Sequence, residues 1–161
     1  MSIALHELPA AVETYLTNFV HCTVSPITPD SQSHMNSNEL GTFGVTVTNA
    51  DEPNGVRLTN VKHHLKAVNG LLVVPASPVA RATTDPNDPA LAVGLQVPEY
   101  FLFPSDNVLD VPDSNTIAGL RVRALQEGPM TITDHIHASL SFGDVFPISN
   151  SKSGEQTITV V

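Results

Sequence analysis

The chain has 161 residues, 41% of them hydrophobic and 14% charged, with 7 basic against 16 acidic side chains and a formal net charge of −9. A chain of this length hides roughly 70% of its unfolded surface, so a single domain needs neither a metal nor a disulfide staple, and the lone Cys22 could not supply a disulfide framework. Nucleic-acid affinity comes chiefly from lysine and arginine neutralising phosphates. Only Arg57, Lys62, Lys66, Arg81, Arg121, Arg123 and Lys152 are available, so the composition argues against nucleic acid and against an anionic membrane surface as partners.

From Leu8 to Val20 the apolar residues Leu8, Val12, Tyr15, Leu16, Phe19 and Val20 recur at helical spacing, with Pro9 in the first turn, where a missing N–H costs nothing. This predicts one amphipathic helix. Ahead of it, Met1 leads into Ser2-Ile3-Ala4 without a basic stretch, and Glu7 and Glu13 interrupt any apolar signal core. Residence in the cytoplasm, or export as part of an assembly, is the expectation. No apolar run approaches the roughly 20 residues that span a bilayer, and membrane insertion is not expected.

The period then changes to two. Val20, Cys22 and Val24 alternate with polar residues, a polar stretch from Thr28 to Glu39 predicts a long loop, and Phe43, Val45 and Val47 alternate with threonines. A strand over 56–68 needs a bulge at Thr59-Asn60 to keep Val61, His63, Leu65 and Ala67 on one face. Leu71 to Val74 is a short strand. Repeated prolines follow, then the aromatic run Tyr100 to Phe103, and an acidic loop over 104–115. Ile117 to Leu125 puts Leu120 and Val122 on one face and Arg121 and Arg123 on the other. Thr131 to Phe142 is the most regular strand, and Gln156 to Val161 the last.

Short strands at roughly ten-residue spacing with threonine-rich outer faces predict an all-β antiparallel sandwich, a closed barrel being the alternative. Residues 1–27, the helix and first strand, are expected to form a docking segment, and 28–161 the sandwich.

The run Gly41 to Asn49, followed by Leu58-Thr59-Asn60-Val61, resembles the T-x-T-V-T-N … L-T-N-V signature of bacterial immunoglobulin-like domains of the CARDB and conserved-repeat kind. Ala118 to Leu125 and Thr131-Ile132-Thr133 are similar to the closing strands of those domains. The resemblance covers residues 40 to 161 and implies an immunoglobulin-like sandwich with a spacing, assembly or adhesion role. It carries over no catalytic residue. The N-terminal helix, the long Pro/Asp loops and the solitary domain depart from the family pattern.

Seven histidines invite a metal reading. His135 and His137, two apart in a strand, share one face and are the candidate ligands. A hairpin to the preceding strand would place Arg121 and Arg123 on that face, against such a site, and a third ligand would have to come from His21, His34, His63 or His64. His63 falls on the apolar face of its strand and His64 outside, between Lys62 and Lys66. Asp134 points inward between Ile132 and Ile136, where an unpaired carboxylate is costly. Cys22 is expected to be a small buried residue. Asp106, Asp110 and Asp113 offer oxygen ligands of the kind calcium takes, without an EF-hand pattern. The sequence holds no phosphate-loop, nucleophile-elbow, paired-cysteine or zinc-protease motif.

No cofactor is therefore expected. The leading expectation is a non-catalytic structural subunit of a multi-copy assembly, its partners other protein subunits, copies of itself above all, with Val12, Tyr15, Leu16 and Phe19 as interface candidates. A metal protein centred on His135 and His137, and a calcium-dependent adhesin or glycan binder, are the alternatives.

Overall fold

The computed structural model describes residues 20–50, 56–140, 145–147 and 153–161. The predicted helix, apart from Val20, lies outside them with its interface candidates Val12, Tyr15, Leu16 and Phe19. The described strands are β1 (Val20–Val24), β2 (Thr28–Pro29), β3 (Leu40–Asn49), β4 (Leu58–Val68), β5 (Gly70–Val73), β6 (Val79–Arg81), β7 (Gln96–Val97), β8 (Glu99–Phe103), β9 (Asp113–Ala124), β10 (Gly128–Leu140), β11 (Val145–Pro147) and β12 (Gly154–Val160). They form two antiparallel six-stranded sheets. One runs β1-β3-β9-β5-β7 with β2 also on β3; the other runs β11-β10-β4-β8-β6 with β12 also on β10. The fold is an immunoglobulin-like β-sandwich.

From β3 to β10 every connection crosses from one sheet to the other. Strands adjacent in sequence therefore face each other across the core. Gln126 to Pro129 is such a crossing, from β9 to β10, and not a hairpin. Arg121 and Arg123 consequently lie in the opposite sheet from His135 and His137, which corrects the expected sharing of a face. Arg121 reaches Asp30 at 2.7 Å and Arg123 reaches the Asn38 carbonyl at 2.7 Å instead.

β1 belongs to the sandwich: it pairs with β3 along its whole length and buries Val20, Cys22 and Val24. The sandwich thus includes Val20–Val24, part of the 1–27 segment expected to serve for docking. The polar stretch over 28–39 is fastened at several points. Met35 is fully buried, its carbonyl accepts from the Val161 amide at 2.8 Å, and the Glu39 carboxylate accepts from the Ser31 and Asn36 amides at 2.6 and 3.0 Å. Those two amides hold the Glu39 carboxyl well below its ordinary pKa, down to about 2.

The predicted bulge is present. Ala138 of β10 faces both Asn60 and Val61, because the ladder runs from His137 opposite Lys62 to Ser139 opposite Thr59, and Asn60 takes φ +52, a left-handed conformation that asparagine tolerates better than most residues. Asn49, at the end of β3, is fully buried and donates to the carbonyls of Val56 at 2.9 Å and Leu109 at 3.2 Å. Of the two asparagines of the family-like signature, Asn49 therefore ties the end of β3 to Val56 and Leu109, and Asn60 forms the bulge.

Candidate functional site

The apolar core has two parts. The larger gathers Val24, Val45, Leu65 and Ile132 with their neighbours; the smaller gathers Val20, Val47, Val61 and Ile136 with theirs. Between them β10 carries Asp134 and β4 carries His63, both at inward positions fixed by alternation. Asp134 is 0% exposed, His63 1% and Cys22 5%. His63 Nδ1 lies 2.7 Å from Asp134 Oδ2, and the Cys22 thiol donates to the same oxygen over 3.0 Å. Asp134 Oδ1 and the Tyr100 hydroxyl are buried without a hydrogen-bond partner. Burial raises the thiol pKa of Cys22 far above its ordinary value, with the Asp134 charge adding to the effect. A thiol so placed is a donor to a carboxylate and not a nucleophile.

His63 also lies in the wall of a cavity of about 300 Å³ between the sheets. Its sides are Val47 of β3, Val61 of β4 and Ile117 of β9, and Asn115 and the exposed Asp106 stand at its mouth. The β5–β6 connector, with a cis peptide between Ser77 and Pro78, and the loop after β8 frame the opening.

On the outer face of the second sheet the register sets His64 opposite His135, and Lys62 opposite His137. His64 is the third histidine that the sequence left open. Its ring stacks on Phe101, with centroids 4.2 Å apart and planes 12° from parallel, and stands 6.3 Å from both His135 and His137. One nitrogen on each of two of these rings is engaged elsewhere: His64 Nε2 meets Glu99 at 3.0 Å and His135 Nδ1 meets Ser153 at 2.8 Å. Among the described residues no three histidine, cysteine or acidic side chains are placed to hold a metal ion. The proposed calcium ligands are separate too. Asp110 pairs with Arg57 at 2.5 Å, Asp113 accepts from the Ser114 amide at 2.9 Å, and Asp106 stands at the cavity mouth.

Half-burial, followed by the charges of His64, Lys62 and His135, lowers the pKa of His137 below its ordinary 6.5, while Asp134 across the sheet opposes the shift. The neutral ring is therefore favoured in the fold. As pH falls below 6.5 the unfolded chain takes up this proton first, so stability falls with it. His137→Gln is expected to flatten the decline of the urea midpoint below pH 6.5; parallel profiles for both proteins would refute the shift.

No family model matches this chain, and no curated protein matches it. Among solved structures it is similar to the ASH/PapD-like domain of human CEP192, at 10% identity over 88% of this chain and 81% of that one, TM-score 0.32. It is also similar to the C-terminal domain of the Streptococcus agalactiae AgI/II polypeptide BspA, at 12% identity over 88% of this chain and 49% of that one, TM-score 0.36. A third similarity is to the sporulation control protein Spo0M of Bacillus subtilis, at 11% identity over 87% of this chain and 49% of that one, TM-score 0.30. The chain spans about half the length of the latter two.

Proposed function

We propose that this protein is a non-catalytic interaction module, one copy among several in a protein assembly. The observation that carries this reading is where the reactive side chains lie. Cys22, His63 and Asp134 are withdrawn between the sheets, and the thiol is spent on the carboxylate. The outer surfaces offer contact chemistry instead. Thr46 and Thr116 bond at 2.8 Å on one sheet and Thr131 and Thr157 at 2.8 Å on the other, which also carries the stacked Phe101 and His64. Threonine pairs of this kind have their hydroxyls already bonded to each other, and aromatic rings are enriched in protein contacts. The CARDB-like resemblance, with its spacing or adhesion role, agrees with this reading.

Residues 1–19, with the helical spacing of Val12, Tyr15, Leu16 and Phe19, are the proposed docking element. Size-exclusion chromatography with light scattering tests both statements. The full chain is expected to elute at a multiple of its mass. A chain lacking residues 1–19 keeps every described strand and is expected to elute as a folded monomer. A full chain that stays monomeric at several hundred micromolar, by the scale of ordinary transient complexes, overturns the assembly reading; a truncated chain that still assembles overturns the docking role.

A further inference from the structure

The cavity between the sheets has a polar group at its base that the assembly reading does not use. His63 gives Nδ1 to Asp134, so the ring edge left to line the cavity is the one that holds Nε2. Nε2 is thereby free of Asp134, and a ring that carries a hydrogen there presents a hydrogen-bond donor to the cavity.

One side of the cavity is apolar, where Val47, Val61 and Ile117 meet, the hydroxyl residues Ser77, Ser105 and Thr116 line other parts of it, and a cavity of about 300 Å³ is at the small end for ligand sites, room for about one ring. The mouth carries the exposed Asp106 in a chain of net charge −9, which repels anions. We propose that this cavity binds a small, uncharged, one-ring molecule whose apolar body meets Val47, Val61 and Ile117 and whose single carbonyl oxygen accepts from His63 Nε2. The site stands whether or not the chain assembles.

The test is titration of the intact, isotopically labelled chain with acetophenone while the His63 ring nitrogen and proton shifts are followed by NMR. Ethylbenzene, the same body without the acceptor, and benzoate, an anion, are the comparison probes. Acetophenone is expected to shift the Nε2 resonance saturably, with a Kd on the order of 1 mM, ethylbenzene to bind at least about tenfold more weakly, and benzoate to leave it unmoved. Ile117→Phe, which fills the cavity, is expected to weaken acetophenone at least about tenfold. Asp106→Asn leaves the core untouched and is expected to admit benzoate. A shift that does not saturate, ethylbenzene binding as tightly as acetophenone, or benzoate excluded equally from both proteins overturns the proposal. So does undiminished binding by a folded Ile117→Phe chain.

Discussion

Replacing Asp134 with alanine is expected to lower folding stability by about 3–5 kcal/mol, read from urea unfolding. The carboxylate is 0% exposed, and its Oδ2 receives both the His63 ring at 2.7 Å and the Cys22 thiol at 3.0 Å. Removing it strands a buried imidazole and a buried thiol together and opens a gap where the two parts of the core meet. Domains of this class have only about 5–15 kcal/mol in hand, so such a variant would be substantially unfolded under mild denaturing conditions. Asp134→Asn keeps the shape and one acceptor oxygen, and about 1–3 kcal/mol is expected from it. A loss below about 1 kcal/mol for the alanine variant would mean that the carboxylate is solvated and the pairing with His63 is not formed.

Gly154→Ala is the second large effect. Gly154 opens β12 opposite Asp134 in the ladder, and its α-carbon packs against β1. A methyl group there would fall 2.9 Å from the Thr23 carbonyl carbon and 3.0 Å from the Cys22 carbonyl oxygen. Both are main-chain atoms that no rotamer change can move, so one edge strand must retreat. Overpacking of this kind costs about 1–3 kcal/mol, and the upper part of that range is expected because the retreat also loosens Cys22 from Asp134. Thr157→Ala, on the exposed face of the same strand, is expected to cost less than about 1 kcal/mol. Equal losses from the two substitutions would show that β1 and β12 do not meet as described.

Much of this was legible in the sequence where side-chain alternation alone decides. The inward position of Asp134, the apolar face of His63, the burial of Cys22 and the bulge at Asn60 all follow from period-two patterning with one interruption. What alternation does not carry is which strands become neighbours. The link from β9 to β10 has the residues of a tight turn but changes sheet, so the arginines of β9 never meet the histidines of β10. For the same reason the partners of Asp134 were hidden: they lie 71 and 112 residues away in sequence. His64 was one of several candidates for the company of His135 and His137 until the β4–β10 register selected it. The cavity was not legible at all, since its walls come from β3, β4, β9 and two connectors.

The seam between the two parts of the core bears on how β10 finds its place. An alternating strand forbids a slip by one residue, which would turn its apolar face to water, but tolerates a slip by two. The inward residues Met130, Ile132, Ile136 and Ala138 are all apolar, and under a two-residue slip each would still meet apolar neighbours. Asp134 breaks that degeneracy in one direction. It stands opposite Leu65 and diagonal to His63, so a two-residue slip toward Ala67 would carry its carboxylate away from His63 into aliphatic surroundings, and the costliest residue of the strand forbids a slip in that direction.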